Sequence, residues 1–297
     1  MHLPQLLAAL ASLAAVAEAW NAPEYSGYTR NFNANFVGKK GYQPTKENWN
    51  IITGDANDNN EFQRWTNSKS NLQFSGEGTL QITPLRSTTA PKGWTSARIE
   101  SKYLVAPKAG RITRVEAAVR MAGTPSNKKQ GIWPAFWMMG DSCRKGTAVW
   151  PACGEIDIAE NINGQAMSHA VVHCDKYPDG ACKEPVGLVT TTPLDNKFHT
   201  WRLDFNRRDS DWKQQSLTWY KDGVEFHSVT GAQVNNADAW ATLCANPLYF
   251  ILNVSVGGNW VCVLCFPRSI LLAMDTMLTN CDSLAHPTLP LLKVLVA

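Results

Sequence analysis

The sequence predicts an all-β protein, a sandwich or barrel of short strands, on three observations. Runs rich in β-branched and aromatic residues recur along the chain, bounded by Gly, Pro, Asn and Asp. Period-two alternation marks several of these runs, and no clear amphipathic helical face follows the N-terminal leader. Asp222-Gly223, between Trp219-Tyr220 and Val224-Glu225-Phe226, is a two-residue hairpin signal. The 297 residues suit one large domain or two small ones, without internal repeat or low-complexity linker.

Taken in chain order, residues 1–19 read as a secretory signal peptide. Leu6 to Val16 is an unbroken small-apolar run, and Ala17-Glu18-Ala19 fits an A-x-A cleavage site. The mature, extracellular chain then begins at Trp20, and no later stretch is long and apolar enough to span a bilayer. Strands are expected over Gly78–Thr83, Ser96–Val105, Gly110–Val119, Gly131–Trp137, His169–His173, His199–Asn206, Ser216–Lys221 and Leu248–Val256. In the last, Leu248, Phe250, Leu252, Val254 and Val256 share one face, while Tyr249, Ile251, Asn253 and Ser255 share the other. In Gly131–Trp137, Trp133, Ala135 and Trp137 lie together, opposite Ile132, Pro134 and Phe136. One sheet is therefore expected to turn apolar residues inward and a mixed aromatic-polar surface outward, a surface suited to a ligand groove. The chain's twelve tryptophans divide between core filling and stacking.

Charge is nearly balanced, 28 basic against 25 acidic residues, without a Lys/Arg-rich run, which excludes a nucleic-acid patch. Asn253-Val254-Ser255 is a glycosylation sequon, but its mid-strand position predicts an unmodified side chain. Export to an oxidising compartment favours paired cysteines. Of the eight, Cys143 and Cys153 close a short loop, and Cys174 and Cys182 bracket a turn at Pro178-Asp179-Gly180. Both are disulfide candidates. Cys244, Cys262, Cys265 and Cys281 allow three connectivities, and one lone C-x-x-C is weak evidence for a redox or metal pair.

The stretch Trp150–Gly164, WPACGEIDIAENING, places three carboxylates within six residues: Glu155, Asp157 and Glu160. On a strand, Glu155 and Asp157 share a face and Ile156 and Ile158 share the other. Strict alternation sends Glu160 to the isoleucine side. A one-residue bulge near Ala159 returns it to the face of Glu155 and Asp157. Like charges so close raise at least one pKa, so the three are not all ionised at neutral pH. A retaining glycosidase needs that division, with an ionised nucleophile and a protonated acid about 5–5.5 Å apart. With one residue absorbed, Glu155 and Glu160 act as i and i+4, about 13 Å apart at Cα, and long side chains on a concave strand close much of that gap. Glu155 is then the nucleophile, Asp157 holds and tunes it, and Glu160 protonates the leaving oxygen before acting as base toward water. The competing readings are a solvated acidic strand or a calcium site, but isoleucine alternation is unlike a metal loop.

Glu155-Ile-Asp157-Ile-Ala-Glu160 resembles the E-x-D-x-x-E signature of glycoside hydrolase family 16 in its bulged, laminarinase-like form. Trp133-Pro-Ala-Phe-Trp137-Met, Thr95-Ser-Ala-Arg98-Ile, Asn59-Asn60-Glu61, Phe198-His199-Thr200-Trp201 and Asn253–Trp260 resemble further ordered blocks of that family. His173 falls where the family places a histidine on the strand after the catalytic one. The agreement runs from about Asn31 to Trp260 and is most similar to secreted fungal members. The resemblance implies a β-jelly-roll sandwich of two antiparallel sheets, with a substrate cleft along the concave sheet. It implies retaining endo-hydrolysis of β-1,3-glucan, sometimes with mixed 1,3;1,4 linkages. Trp133 and Trp137 would stack on sugar rings, His173 would bond the sugar or the acid/base carboxylate, and Arg98, Asn59 and Glu61 would contact hydroxyls. Trp260 would wall the cleft. A structural calcium on the far face is an analogy without a visible ligand set, and no cofactor is required by the chemistry.

The catalytic domain is accordingly placed at residues 20–260. Residues 261–297 depart from the family's last strand and read as an artefact such as a retained intron or shifted frame. Lys293 and the missing polar spacer argue against a lipid-anchor signal. The expected partner is a β-glucan polysaccharide and the expected state a monomer. Alternatives are a non-catalytic glucan-binding module, disfavoured by the three acids, and a cell-wall transglycosylase, which shares the mechanism up to the covalent intermediate. β-1,3-glucan, mixed-linkage glucan and β-1,3-galactan remain open as substrates.

Overall fold

A computed structural model describes residues 22–56, 58–121 and 128–263. The signal segment 1–19 and most of the tail, with Cys265 and Cys281, lie outside the described residues, as does the side chain of Cys262. Two antiparallel sheets stack face to face, the jelly-roll sandwich expected. The larger has seven strands, in spatial order Trp49–Ile51, Arg98–Ser101, Leu248–Val256, Ile132–Gly140, Glu155–Glu160, Met167–His173 and Thr190–Pro193. The smaller runs Val224–Thr230, Ser216–Lys221, His199–Asn206 and Ile112–Val119. Asp222 and Gly223 turn the hairpin between Ser216–Lys221 and Val224–Thr230 with φ of 51° and 80°, the conformation that Asp-Gly accepts at little cost.

Alternation fills the space between the sheets. Phe136, Met138, Ile156, Ile158, Phe250 and Leu252 from the larger sheet meet Trp201, Leu203, Phe205 and Trp219 from the smaller. Burying each of these side chains contributes about 1.5–3 kcal/mol. The strand Leu248–Val256 is buried along its whole length, so the open face of the large sheet is covered along this strand. Arg144 lies over the Tyr249 ring at 4.0 Å, and Arg98 over Trp137 at 5.0 Å, supplying part of that cover. Asn253 is likewise buried, and its side chain is engaged on both sides. Its Oδ1 accepts from Trp137 Nε1 at 2.7 Å and its Nδ2 donates to Ser255 Oγ at 3.0 Å.

Two expectations need correction. A helix, Ala237–Cys244, was not foreseen; Asn236 caps it by accepting from the backbone N–H groups of Asp238 and Ala239. Its eight residues are too few for the apolar period to stand out in the sequence. Cys174 and Cys182 are bonded, but the candidate pair Cys143 and Cys153 is not. Cys143 sits in the short helix Asp141–Arg144 with its thiol free, and Cys153 is buried with its own thiol free. Burial, then the neighbouring Cys143 thiol, pushes the Cys153 thiol well above its usual range, which disfavours the reactive thiolate.

Candidate active site

The acidic strand Glu155–Glu160 carries a bulge. Against Ile132–Gly140, Glu160 faces Ala135, Ala159 faces Phe136 and Asp157 faces Trp137, which leaves Ile158 without an opposite number. On the other side, Asp157 faces Val171 and Glu160 faces His169, again with one residue extra. Ile158 and Ala159 consequently both enter the core, and Glu160 joins Glu155 and Asp157 on the open face. The extra residue falls at Ile158, one position before the expected Ala159.

A bulge disturbs the ladder, so its carbonyls need other partners. Trp219 reaches across from the smaller sheet, and its Nε1 donates to the Asp157 carbonyl at 3.0 Å. Ser168 Oγ donates to the Glu160 carbonyl at 3.1 Å. Core packing thereby sets the direction of the carboxylates.

Each glutamate has its own aromatic neighbours. Trp133 Nε1 donates to Glu160 Oε1 at 2.9 Å. Trp260 meets the Trp133 ring edge-on at 5.3 Å and the His169 ring at 4.9 Å, so Trp133, His169 and Trp260 gather at that end. At the other end, the Trp150 ring lies 5.6 Å from the His173 ring and 6.4 Å from that of Tyr177, and its indole favours the charged form of Glu155. Gly258 lets Trp133 in: a Cβ there would come 3.2 Å from the indole.

Burial pushes all three carboxyls up. Glu160 rises to about 7, through burial and the charge of Glu155, against the opposing indole hydrogen bond and His173. Asp157 is pushed well above the usual carboxylate range, because burial is joined by the charges of Glu160, Glu155 and Glu184. Its Oδ2 is buried with no hydrogen-bond partner, consistent with a protonated or shared-proton state. Glu155 is also raised by burial, but His173, Arg98 and the Trp150 indole pull it back. The two glutamates thus have neighbours that favour their charged forms and Asp157 has none, an environment that sets the acids apart as an acid and a nucleophile on one strand require.

The remaining sequence-predicted residues fall at varied distances from this centre. His173 pairs across the strands with Glu155, not Glu160, and its Nε2 lies 3.7 Å from Asp157 Oδ2. The histidine opposite the expected acid/base is His169. Arg98 is bound to Glu100 at 2.7 Å and covers Trp137. Asn59 is exposed in a turn with φ of 52°. Glu61 bridges to Gly257 through its backbone, and Gln63 donates to its carboxylate. Glu155, Asp157 and His173 each bring a ligand atom within 4.8 Å of the others, the grouping among the described residues whose spacing admits a cation. Trp150, His169, Tyr177 and Glu184 were missed. Trp150 opened the quoted acidic stretch, yet nothing in its spacing ties an indole to Glu155.

Sandwich, bulged strand and three buried acids on one face together define a glycosidase of the β-jelly-roll class. The family model Glycosyl hydrolases family 16 matches residues 59–261, and the chain belongs to that family. An endo-1,3-β-glucanase from Streptomyces sioyaensis superposes with a TM-score of 0.77 at 30% identity, covering 94% of this chain and 96% of that one. A glucan endo-1,3-β-glucosidase from Cryptopygus antarcticus is 30% identical over 231 residues, 72% of this chain and 76% of the relative. A LamA variant from Z. galactanivorans, solved with laminaritriose and laminaritetraose, superposes with a TM-score of 0.59 at 26% identity, over 77% of this chain and 90% of that one.

Proposed function

We propose that the chain is a secreted, retaining endo-glycosidase that hydrolyses internal β-1,3 linkages of a laminarin-like β-glucan by double displacement. The observation that carries this reading is the bulge at Ile158, which sets Glu160 on the face of Glu155 with Asp157 between them. Glu155 attacks the anomeric carbon while Glu160 protonates the departing oxygen. Asp157, protonated or sharing a proton, steadies Glu155. Once Glu155 is esterified its charge is lost, the Glu160 pKa falls, and Glu160 takes a proton from the water that frees the product. Glu160 at about 7 is poised for both tasks near neutrality.

The β-1,3 preference leans on what the similar proteins are named for. Secretion, and the fungal type, lean on the N-terminal leader pattern and on the quoted blocks; a disulfide at Cys174–Cys182 accords with export. Glu155→Gln tests the nucleophile. Loss of laminarin hydrolysis with an unchanged melting curve supports it, and retained activity overturns it. A panel of defined glucans and galactans, with products sized, decides substrate class. Products longer than the substrate would mark a transglycosylase, and binding without new reducing ends a glucan-binding module.

A further inference from the structure

His173 is aimed by a carboxylate from outside the acidic strand. Its Nδ1 lies 2.7 Å from Glu184 Oε2, and Glu184 Oε1 accepts from the backbone N–H of Cys174 at 3.0 Å. The Glu184 side chain is 0% exposed, so both oxygens are committed in a site closed to water. The segment that brings it there is tied twice. The Cys174–Cys182 disulfide closes the loop two residues earlier, and Asp179 and Glu184 exchange backbone hydrogen bonds at 2.9 and 2.6 Å. Beyond it, Gly187 with φ of 74° packs its backbone on the ring; a Cβ there would lie 2.9 Å from His173 Cε1.

A carboxylate on Nδ1 assigns the proton to that nitrogen and fixes the plane of the ring. Nε2 is then left facing the acids, beside Asp157 and Glu155. We infer that Glu184 is a positioning residue of this site: through its contact with His173 Nδ1 it fixes the ring and directs Nε2 at Glu155 and Asp157. The inference rests on the hydrolase reading above. Glu155, Asp157 and Glu160 from the acidic strand and Glu184 from the loop face the imidazole, and Arg98 adds a cation toward Glu155. Burial alone would lower the His173 pKa; Glu184, then Glu155, outweigh it and the net shift is upward. A charged His173 in turn lowers both Glu155 and Glu160.

Glu184→Gln keeps the shape and an acceptor oxygen but removes the charge. His173 then loses its proton at lower pH, and Glu160 rises as that charge goes; at Glu155 the loss of the His173 charge outweighs the loss of the Glu184 charge, which had pushed it up, so the profile of kcat/KM against pH moves to higher pH. The expected fall in kcat at the native optimum is about tenfold, the scale of one hydrogen bond to a charged group, with KM changed little. In a His173→Gln background the same substitution should change kcat less than about twofold, since the two act as one unit. An unmoved pH profile, or a further tenfold loss in that background, overturns the inference. Glu184→Asp retains the charge and should retain the native profile; a shift equal to that of Glu184→Gln overturns it as well. Nitrogen NMR of the His173 ring in the full chain separates this question from the reaction itself. Protonated Nδ1, and a His173 pKa that drops in Glu184→Gln, support the inference even on a protein inert toward laminarin; a neutral ring protonated on Nε2 alone, or an unmoved pKa, refutes it.

Discussion

Trp133→Phe should move the alkaline limit of activity upward. The native indole donates to Glu160 at 2.9 Å and opposes the burial that raises this acid to about 7. Phenylalanine keeps an aromatic face for a sugar but has no N–H. A hydrogen bond to a charged group is worth about 1.5–3 kcal/mol, or roughly one to two pKa units. Trp133 is half-buried on the open face, so the lower end applies and Glu160 should titrate near 8, about one unit higher. Glu160 works in its protonated form, and activity declines as pH rises through its pKa. At pH 8 the native chain keeps about a tenth of this acid protonated and the variant about half, a roughly fivefold gain relative to each optimum. The assay is reducing-sugar release from laminarin across pH 5–9, fitted for the basic limb of kcat/KM. A limb that stays put or moves down refutes the assignment of Glu160 as the acid held by this indole.

Stability should respond in a matched way. Glu160 rises from an ordinary 4.5 unfolded to about 7 folded, so its favourable contribution is complete below pH 4.5 and lost as pH climbs through 7. Over that window the cost reaches about 3 kcal/mol, and Glu160→Gln should relieve it, melting higher than the native chain at pH 8 but not at pH 4 while abolishing hydrolysis. An equal difference at both pH values would contradict this. Trp219→Phe removes the donor to the Asp157 carbonyl while nearly filling the same core space. Leaving that buried carbonyl unpaired should cost about 1–3 kcal/mol in denaturant unfolding, and kcat should fall as the bulge loosens; an unchanged kcat would show that the bulge holds its direction without the indole.

The bulge was legible because two rules conflicted. Ile156 and Ile158 demanded alternation, and Glu160 could not follow it into the core, so one residue had to be absorbed. Its position came out one residue early because sequence says how many residues are absorbed, not which carbonyl finds a donor; Trp219, far along the chain, decides that. The strands His199–Asn206, Ser216–Lys221 and Leu248–Val256 were readable to the residue because turn signals flank runs rich in β-branched and aromatic residues. Ser96–Val105 was not, and splits at Ala97 into Arg98–Ser101 of the larger sheet and Trp94–Ser96, which pairs with Gln63–Trp65 and Leu85–Arg86 in a separate small sheet. Glu184 and Trp150 stayed hidden because loops deliver them, and loop paths are set by a disulfide and backbone exchanges instead of by periodicity. The concave-face polarity was overstated for the same kind of reason: Ile251 is fully buried by neighbours that no single strand reveals.

Proton NMR of the sugar first released from laminarin, before mutarotation, tests the shared face of Glu155 and Glu160 most directly. Attack by Glu155 followed by water on the opposite side predicts a β-anomer at the new reducing end. An α-anomer appearing first would mean single displacement, with Glu155 acting as base instead of nucleophile, and would contradict the account.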